Sequence, residues 1–494
     1  MVDALQREML PPSVPLLPKA QVAASYLPAG TNTAAGGDWF DAVLVPGGGL
    51  GLVVGDVVGH GMAASAAMGR LRAVLSERLA ATGDAREALR SADAASRRIP
   101  GAPAATACVA VLDLGTGAVE HASAGHPPPL VVAAEGARFL TGGGDPPFGV
   151  GTARTRTLHR TRLATGDVVL LYTDGVLERP RRTFAEATVE LLQVASDVVA
   201  DRAGRDDLPV ADRLCTRAVE LLTGTTGHTD DISLLAAQLV PAPPGHRRTY
   251  AAAPEALPPV CDHLADWLGC LRVGAQDADA LRHAVVELAT NAVEHAYPGS
   301  AAEFVVTGEL TGCGEVEVRV SDGGHWREPV PSPGRGLGLE ITAHMVDHFR
   351  VEHDGGGMTS VVRHRVGRPV RVLTADGLAS GRATPAPPHQ PLRVEQAPGA
   401  HLSVAGAVDA LTARGFERAL TAAGCSGTRS LTVDLGAVTR LASAGVAVLH
   451  RLVARHRDNG TELRLVAPVA TAADVVMTLV GLDHAGFHDG GGGA

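Results

Sequence analysis

The sequence predicts a multidomain α+β protein built in three pieces. Three observations carry this expectation: a length of 494 residues, short apolar runs alternating with helix-length amphipathic segments, and two Pro/Gly-rich breaks. At ~150 residues per domain, that length suits about three domains. Hydrophobic residues make up 45 % and charged residues 19 %, enough apolar material for sizeable cores. Aromatics are only 3 %, so those cores must be made mainly of Ala, Val and Leu.

The breaks are PAPPGHRR, from Pro241 to Arg248, and the looser stretch from Thr374 to Pro391. Proline removes backbone donors and glycine raises the entropy cost of ordering, so both read as linkers. They predict domains at residues 1–240, 247–367 and 391–487. In the first, GLVVGDVV, TACVAVLDL, PPLVVAA and DVVLLYTD are short apolar runs bounded by Gly, Pro or Asp, the pattern of buried strands. With helices expected at Ala63–Thr82 and Val189–Val199, this piece reads as a β-sandwich with helical layers. The second opens on a helix at Asp277–Ala296, continues in strands and returns to a helix near Leu337–Phe349. The third alternates HLSVAG, SLTVDLG and ELRLVAP with helices at Leu411–Ala423 and Ala444–Arg457, an α/β layout.

Formal charge is -10, which argues against nucleic acid as a direct partner, because phosphate binding needs a concentrated basic surface. No uncharged apolar run reaches the ~18 residues of a membrane span. The opening MVDALQREML lacks the basic-then-apolar layout of a secretory signal, and the 6 cysteines form no CxxC pair. Together these predict a soluble cytoplasmic protein without a disulfide framework.

In the first piece, four aspartates end apolar strands beside glycine: Asp38 in GGDWFDAV, Asp56 in VVGDVVGHG, Asp174 in LLYTDGVLE and Asp230 in HTDDISLLA. Carboxylates converging beyond a sheet edge, with no His or Cys ligand pattern, would make an oxygen-only site suited to Mg²⁺ or Mn²⁺. Two such ions about 4 Å apart could activate water and stabilise an in-line displacement at phosphorus. The alternative is that each aspartate merely caps a turn or helix. The ordered set GGDWFDAV, GDVVGHGMAAS, AGHPPPLVV, PPFGV, TDGVLE and DDISLL resembles the SpoIIE-type branch of the metal-dependent protein phosphatase 2C family, over roughly residues 5–240. The resemblance implies an α-β-β-α sandwich and attack of activated water on phosphoserine or phosphothreonine, with no covalent phosphoenzyme. It implies that Asp56 bridges two metals, the Val57 carbonyl is a further ligand, and Asp174 and Asp230 complete the shell of the second metal. Asp38 would hold a metal's water, Asp231 could share the role of Asp230, and His60 and Gly61 would shape the turn.

In the second piece, Leu281, Val285, Leu288 and Ala292 form a core stripe, while Glu287, Asn291 and His295, four apart, share another face. One carboxylate and one amide stacked in this way can polarise a hydroxyl and ligate Mg²⁺, or simply decorate a solvated face. Asp322 ends a strand before Gly323 and Gly324, where its carboxylate can accept from an adenine amino group. Gly334, Gly336 and Gly338 precede a helix whose free N–H groups suit phosphates, without the GxxxxGK[ST] of a P-loop. The set ELATNAVEHA, SDGGHW, GRGLGL and GGGMTSVV resembles the GHKL (Bergerat) ATPase fold, specifically its anti-sigma-factor serine kinase branch. That resemblance implies Asn291 on Mg²⁺, Glu287 as general base, Asp322 at adenine, Gly324 in the nucleotide site, Gly334, Gly336 and Gly338 over the phosphates of ATP, and Thr359 in the strand closing the pocket. His325–Trp326 stands where the family usually has Gly-Phe. With no phosphoacceptor-histidine helix ahead of it, a histidine kinase is the poorer reading.

The third piece, around LTVDLGAVTRLASAGVAVLHRLVARHRDNGTELRLVAP, resembles a STAS domain of the anti-sigma-factor-antagonist type. The family loop reads Asp-Ser-Ser-Gly; here it is Ala442-Ser443-Ala444-Gly445, so the usual acceptor serine is an alanine and Ser443 is the candidate phosphosite or only a helix cap. Added charge at a helix N-terminus is tolerated and alters docking.

The combined expectation is a metal-dependent serine/threonine phosphatase, with a serine-kinase-like module and a STAS module, regulating a sigma factor by partner switching on a phosphorylated STAS antagonist. A phosphatase that merely binds ATP, and a non-catalytic sigma-binding scaffold, are the alternatives. A homodimer is left open.

Overall fold

The computed structural model describes residues 9–29, 36–140, 144–150, 156–200, 208–224, 226–295, 302–323, 337–354, 357–373, 392–397, 400–408, 412–441, 443–469 and 471–486. It divides into two compact units: Met1–Pro243 with Leu310–Glu315 and Val366–Ala383, and Pro244–Glu309 with Val316–Arg365 and Thr384–Ala494.

The first unit contains β1 (Ser13–Pro15), β2 (Ala20–Leu27), β3 (Trp39–Val45), β4 (Gly49–Asp56), β5 (Thr106–Leu112), β6 (Ala118–Ala124), β7 (Leu130–Ala133), β8 (Gly136–Phe139), β9 (His159–Arg162), β10 (Val168–Tyr172) and β11 (Ile232–Leu239). One sheet runs β3-β4-β5-β6-β9; the other runs β2-β11-β10-β7-β8, extended beside β2 by Arg371–Val372. Why the strands of the second sheet read as unbroken apolar runs is visible in β10. Val169 and Leu171 join the core between the two sheets, while Val168, Leu170 and Tyr172 join a second core on the opposite face. A strand buried on both faces has no polar side to alternate with.

Helices cover both outer faces. Met62–Thr82 and Ala85–Ser96 pack on the first sheet, and Phe184–Val199 and Val210–Thr223 on the second, completing four layers. Close approach in the first layer depends on Gly51, where an added Cβ would lie 2.6 Å from Leu79 Cδ2. The helix expected at Val189 begins instead at Phe184, because Thr183 and Glu186 form a capping box that satisfies the first-turn donors.

The second unit holds β12 (His246–Ala251), β13 (Glu303–Leu310), β14 (Glu315–Asp322), β15 (His348–Asp354) and β16 (Gly357–Arg365), in the order β12-β13-β14-β16-β15. The helices Leu257–Leu271, Ala275–His295 and Leu337–Met345 accompany them. The expected stripe Leu281, Val285, Leu288 and Ala292 is fully buried. Two boundaries differ from the sequence expectation. His246–Arg248, read as linker, pairs with Val306–Gly308, and the last helix stops at Met345 because Phe349 pairs with Val362.

Further along, Arg393–Ala397 and His401–Val408 form an antiparallel pair, after which Leu431–Leu441 and Leu463–Val466 add in parallel. Parallel neighbours need crossovers, and Ala413–Ala423 and Ser443–Asp458 supply them, with Ala472–Leu479 following. No helix among the described residues is long and apolar enough to cross a membrane.

Candidate functional site

Acidic residues from four separate segments meet at one end of the paired sheets. Asp38 leads into β3, Asp56 ends β4, Asp174 follows β10, and Asp230 and Asp231 precede β11. Their electrostatic influence on one another is mutual. Asp56 is pushed up to about 7, first by burial and then by Asp174 and Asp230, with a hydrogen bond from Asp38 pulling the other way. Asp38 is raised well above the carboxylate range by burial and by Asp56 and Asp231; Asp174 is raised by burial, Glu178 and Asp230. Among the described residues, no cationic side chain figures among the main causes for these three groups. Like charges gathered in a partly desolvated place resist ionising together, and a bound divalent cation reverses that logic.

Backbone packing fixes the cluster. Val57 N–H donates to Gly37 O at 3.2 Å. A Cβ on Gly37 would lie 2.1 Å from Val57 O and 2.9 Å from Asp56 Oδ1, so the absence of a side chain at Gly37 is what lets the carbonyl and carboxylate stand where they do. On the other side, Asp231 is wedged between Gly36 and Gly175, whose added Cβ atoms would fall 1.2 Å from its Oδ2 and 2.1 Å from its carbonyl oxygen. Thr173 Oγ1 donates to Asp38 Oδ2 at 2.6 Å, while Ser233 N–H donates to Thr173 Oγ1 at 2.9 Å. One hydroxyl therefore ties Asp38 to the strand ends that carry Asp174 and Asp231.

The two adjacent aspartates, which sequence reasoning left interchangeable, stand in different surroundings. Asp231 is buried, accepts from Ala29 N–H at 2.7 Å and is hydrogen-bonded by Tyr26. Asp230 is exposed, and its Oδ1 accepts from Asp231 N–H. Thr173 and Tyr26 were not among the sequence candidates; the signal for Thr173 was its place directly before Asp174 in YTDG. The donor set is all oxygen, which suits a hard divalent cation. Among the described residues, no three such side chains close tightly enough to hold an ion directly. Ions seated here would draw the carboxylates inward or complete their shells with water.

A shallow cavity of about 460 Å³, lined by Leu177, Glu178, Pro180, Arg182, Phe184 and Thr229, opens beside this cluster. The turn that carries it is anchored on Asp174, whose carbonyl accepts from both Leu177 N–H and Glu178 N–H at 2.7 Å.

In the second unit, Glu287 is buried on the helix Ala275–His295, and Asn291 sits half-buried one turn later. Asp322 is buried at the end of β14 and is approached so closely by Gly357 that a Cβ there would lie 2.2 Å from Asp322 O. Thr359 Oγ1 and Ser321 Oγ are 2.9 Å apart. The helix carrying Glu287 packs against β16, which carries Thr359. Gly324, Gly334 and Gly336 lie outside the described residues, as do the side-chain positions of His295 and Ser443. Gly338 is in the helix Leu337–Met345, and Ser443 opens the helix Ser443–Asp458.

Comparison with known proteins follows the same three segments. The family model for stage II sporulation protein E (SpoIIE) matches residues 46–240. A histidine kinase-like ATPase domain matches 250–363, and an Mlab-type STAS domain 392–487. The crystal structure of the RsbU and RsbW domains of Rv1364c from Mycobacterium tuberculosis is 38 % identical, with a TM-score of 0.66; the match covers 74 % of this chain and 98 % of that one. Protein IcfG of Synechocystis sp. is 25 % identical over 202 residues, 35 % of this chain, which spans only 31 % of that relative's length. The PP2C domain with a regulatory fragment of SpoIIE from Bacillus subtilis is 16 % identical at a TM-score of 0.38, covering 45 % of this chain and 64 % of that one.

Proposed function

This chain belongs to the SpoIIE phosphatase family, in the form that carries a histidine kinase-like ATPase domain and a STAS domain, and from that premise we propose that it is a metal-dependent protein-serine/threonine phosphatase acting in a partner-switching circuit. The observation that carries the proposal is the meeting of Asp38, Asp56, Asp174 and Asp230 with the Val57 carbonyl at one end of the sandwich.

Asp56, Asp174, Asp230 and the Val57 carbonyl would hold two Mg²⁺ or Mn²⁺ ions. Such ions supply charge stabilisation to phosphoryl oxygens and make water a better nucleophile near neutral pH. Asp38 would orient a water in the cluster and take its proton, with its carboxylate held by the hydrogen bond that Thr173 Oγ1 donates to it. Asp231 acts as a brace, since its oxygens already serve Ala29 and Tyr26. The neighbouring cavity, with Phe184 exposed and Arg182 at its rim, is the place for side chains flanking a phosphoserine.

The preferred substrate is a phosphoserine on a separate STAS antagonist, because Ala444 stands where this chain's own STAS loop would carry the acceptor. The ATPase-like part would bind MgATP, with Asn291 on the metal, Glu287 as base and Asp322 at adenine, and would phosphorylate the antagonist or sequester a sigma factor. Tethering the opposed activities raises the local concentration of the shared substrate.

The test is phosphate release from p-nitrophenyl phosphate and from a phosphorylated STAS protein. Dependence on Mn²⁺ and loss in Asp56→Asn support the reading; metal-independent or absent hydrolysis overturns it. For the ATPase-like part, Glu287→Ala that leaves phosphate transfer to a STAS protein unchanged would reduce ATP to a regulatory ligand.

A further inference from the structure

The motif AGHPPPLVV contains a histidine to which the phosphatase chemistry gives no role. His126 is buried in the crossover between β6 of one sheet and β7 of the other. Its Nδ1 lies 2.7 Å from Thr106 Oγ1 and its Nε2 lies 3.1 Å from Tyr172 O. A carbonyl can only accept, so Nε2 carries the hydrogen and Nδ1 accepts from the threonine hydroxyl. Burial pushes the imidazole down to about 4, which keeps this neutral tautomer in place around pH 7.

Both partners touch the acidic cluster through one further link. Thr106 is the cross-strand partner of Asp56 in the β4–β5 ladder. Tyr172 immediately precedes Thr173, which holds Asp38, and Asp174. The imidazole therefore spans the two sheets at the level where each delivers its carboxylates. Its own backbone is fixed: Ser123 Oγ accepts from His126 N–H at 3.0 Å and donates to His126 O at 2.9 Å. Gly125 beside it adopts φ 70, with the Pro147 ring 2.6 Å from where a Cβ would stand.

We propose that His126 is a positioning residue that sets the separation of Asp56 from the Asp38–Asp174 pair, and so the affinity of the cluster for divalent cations. This rests on the metal-dependent phosphatase reading. It is not a ligand, since both ring nitrogens are engaged below the cluster. Hydrogen bonds made directly to metal ligands are typically worth 10- to 100-fold in metal affinity, and His126 acts one link further out.

The experiment is Mn²⁺ binding to the full chain by titration calorimetry, on folded protein verified by circular dichroism. The variants are His126→Phe, Thr106→Val and the double variant. Phenylalanine fills the ring's space without either hydrogen bond; Thr106→Val, which removes the Nδ1 bond, serves if the phenylalanine variant does not fold, and His126→Gln, which keeps a donor at the Nε2 position, tests for rescue. Expected are a loss of affinity of up to about tenfold for His126→Phe, the low end of the range for groups bonded to ligands, a smaller loss for Thr106→Val, and a double variant no weaker than His126→Phe alone. Partial recovery is expected in His126→Gln. A merely structural histidine would lower the melting temperature while leaving Mn²⁺ affinity per folded chain unchanged; that result in His126→Phe, or in Thr106→Val if the phenylalanine variant does not fold, overturns the inference while the phosphatase reading stands. Wild-type protein that binds no Mn²⁺ overturns both.

Discussion

Replacing Gly37 with alanine is the sharpest perturbation of the proposed metal centre, because it adds a single methyl group at its closest backbone contact. Gly37 does not adopt a positive φ, so alanine meets no backbone strain there. Space is the difficulty. The new Cβ would lie 2.1 Å from Val57 O and 2.9 Å from Asp56 Oδ1, and real Cβ contacts essentially never fall under 3.0 Å. The Val57 carbonyl must retreat by about 1 Å, and a misplacement of that size at reacting groups costs roughly 100-fold in rate. Stability should fall by only about 1–3 kcal/mol, the usual cost of one forced methylene. The assay is Mn²⁺-dependent hydrolysis of p-nitrophenyl phosphate across a metal titration, with melting followed in parallel. A weaker metal dependence with turnover down by about two orders of magnitude is the expected outcome. A folded Gly37→Ala protein with wild-type turnover and metal dependence would refute the assignment of the Val57 carbonyl and Asp56 to one cation site.

Three other predictions concern nearby or independent features. Mn²⁺ at about 100 times its dissociation constant should stabilise the phosphatase unit by about 2.7 kcal/mol, an upward melting shift that Asp56→Asn and Asp174→Asn abolish; an equal shift in these variants contradicts the assignment. Thr173→Val removes the 2.6 Å bond to Asp38, so turnover should fall about tenfold or more, with unchanged turnover as the contrary result. In the second unit, His364 is raised by its hydrogen bond with Asp277, with Asp347 adding to it at 3.1 Å. Because the folded value lies above 6.5, the stabilisation is full below that pH and disappears as pH rises through the folded value. His364→Gln should flatten that part of the stability–pH curve, and an unaltered slope would show that the pair contributes nothing.

Much of this architecture was legible because its strands are buried on both faces and so announce themselves as apolar runs, as in VVLLY and ISLLAAQL. The helical stripe through Leu281 and Ala292 was equally plain. Boundaries were less so: the capping box at Thr183 extends a helix five residues beyond its apolar pattern, and pairing of Phe349 with Val362 overrides helical spacing. Strand-end aspartates beside glycine pointed to carboxylates that do meet at one end of the sheets. What the sequence could not separate was Asp230 from Asp231, since their difference comes from Ala29 and Tyr26, some 200 residues away in the chain. Thr106 and His126 were hidden for the same reason. Their partners lie on different sheets, and no local pattern encodes that.

Anomalous diffraction from crystals grown with Mn²⁺ tests the central assignment most directly. Two peaks flanking Asp56, one within bonding reach of the Val57 carbonyl and the other of Asp174 and Asp230, are the predicted result. Manganese bound elsewhere, with these carboxylates left unligated, would contradict the account.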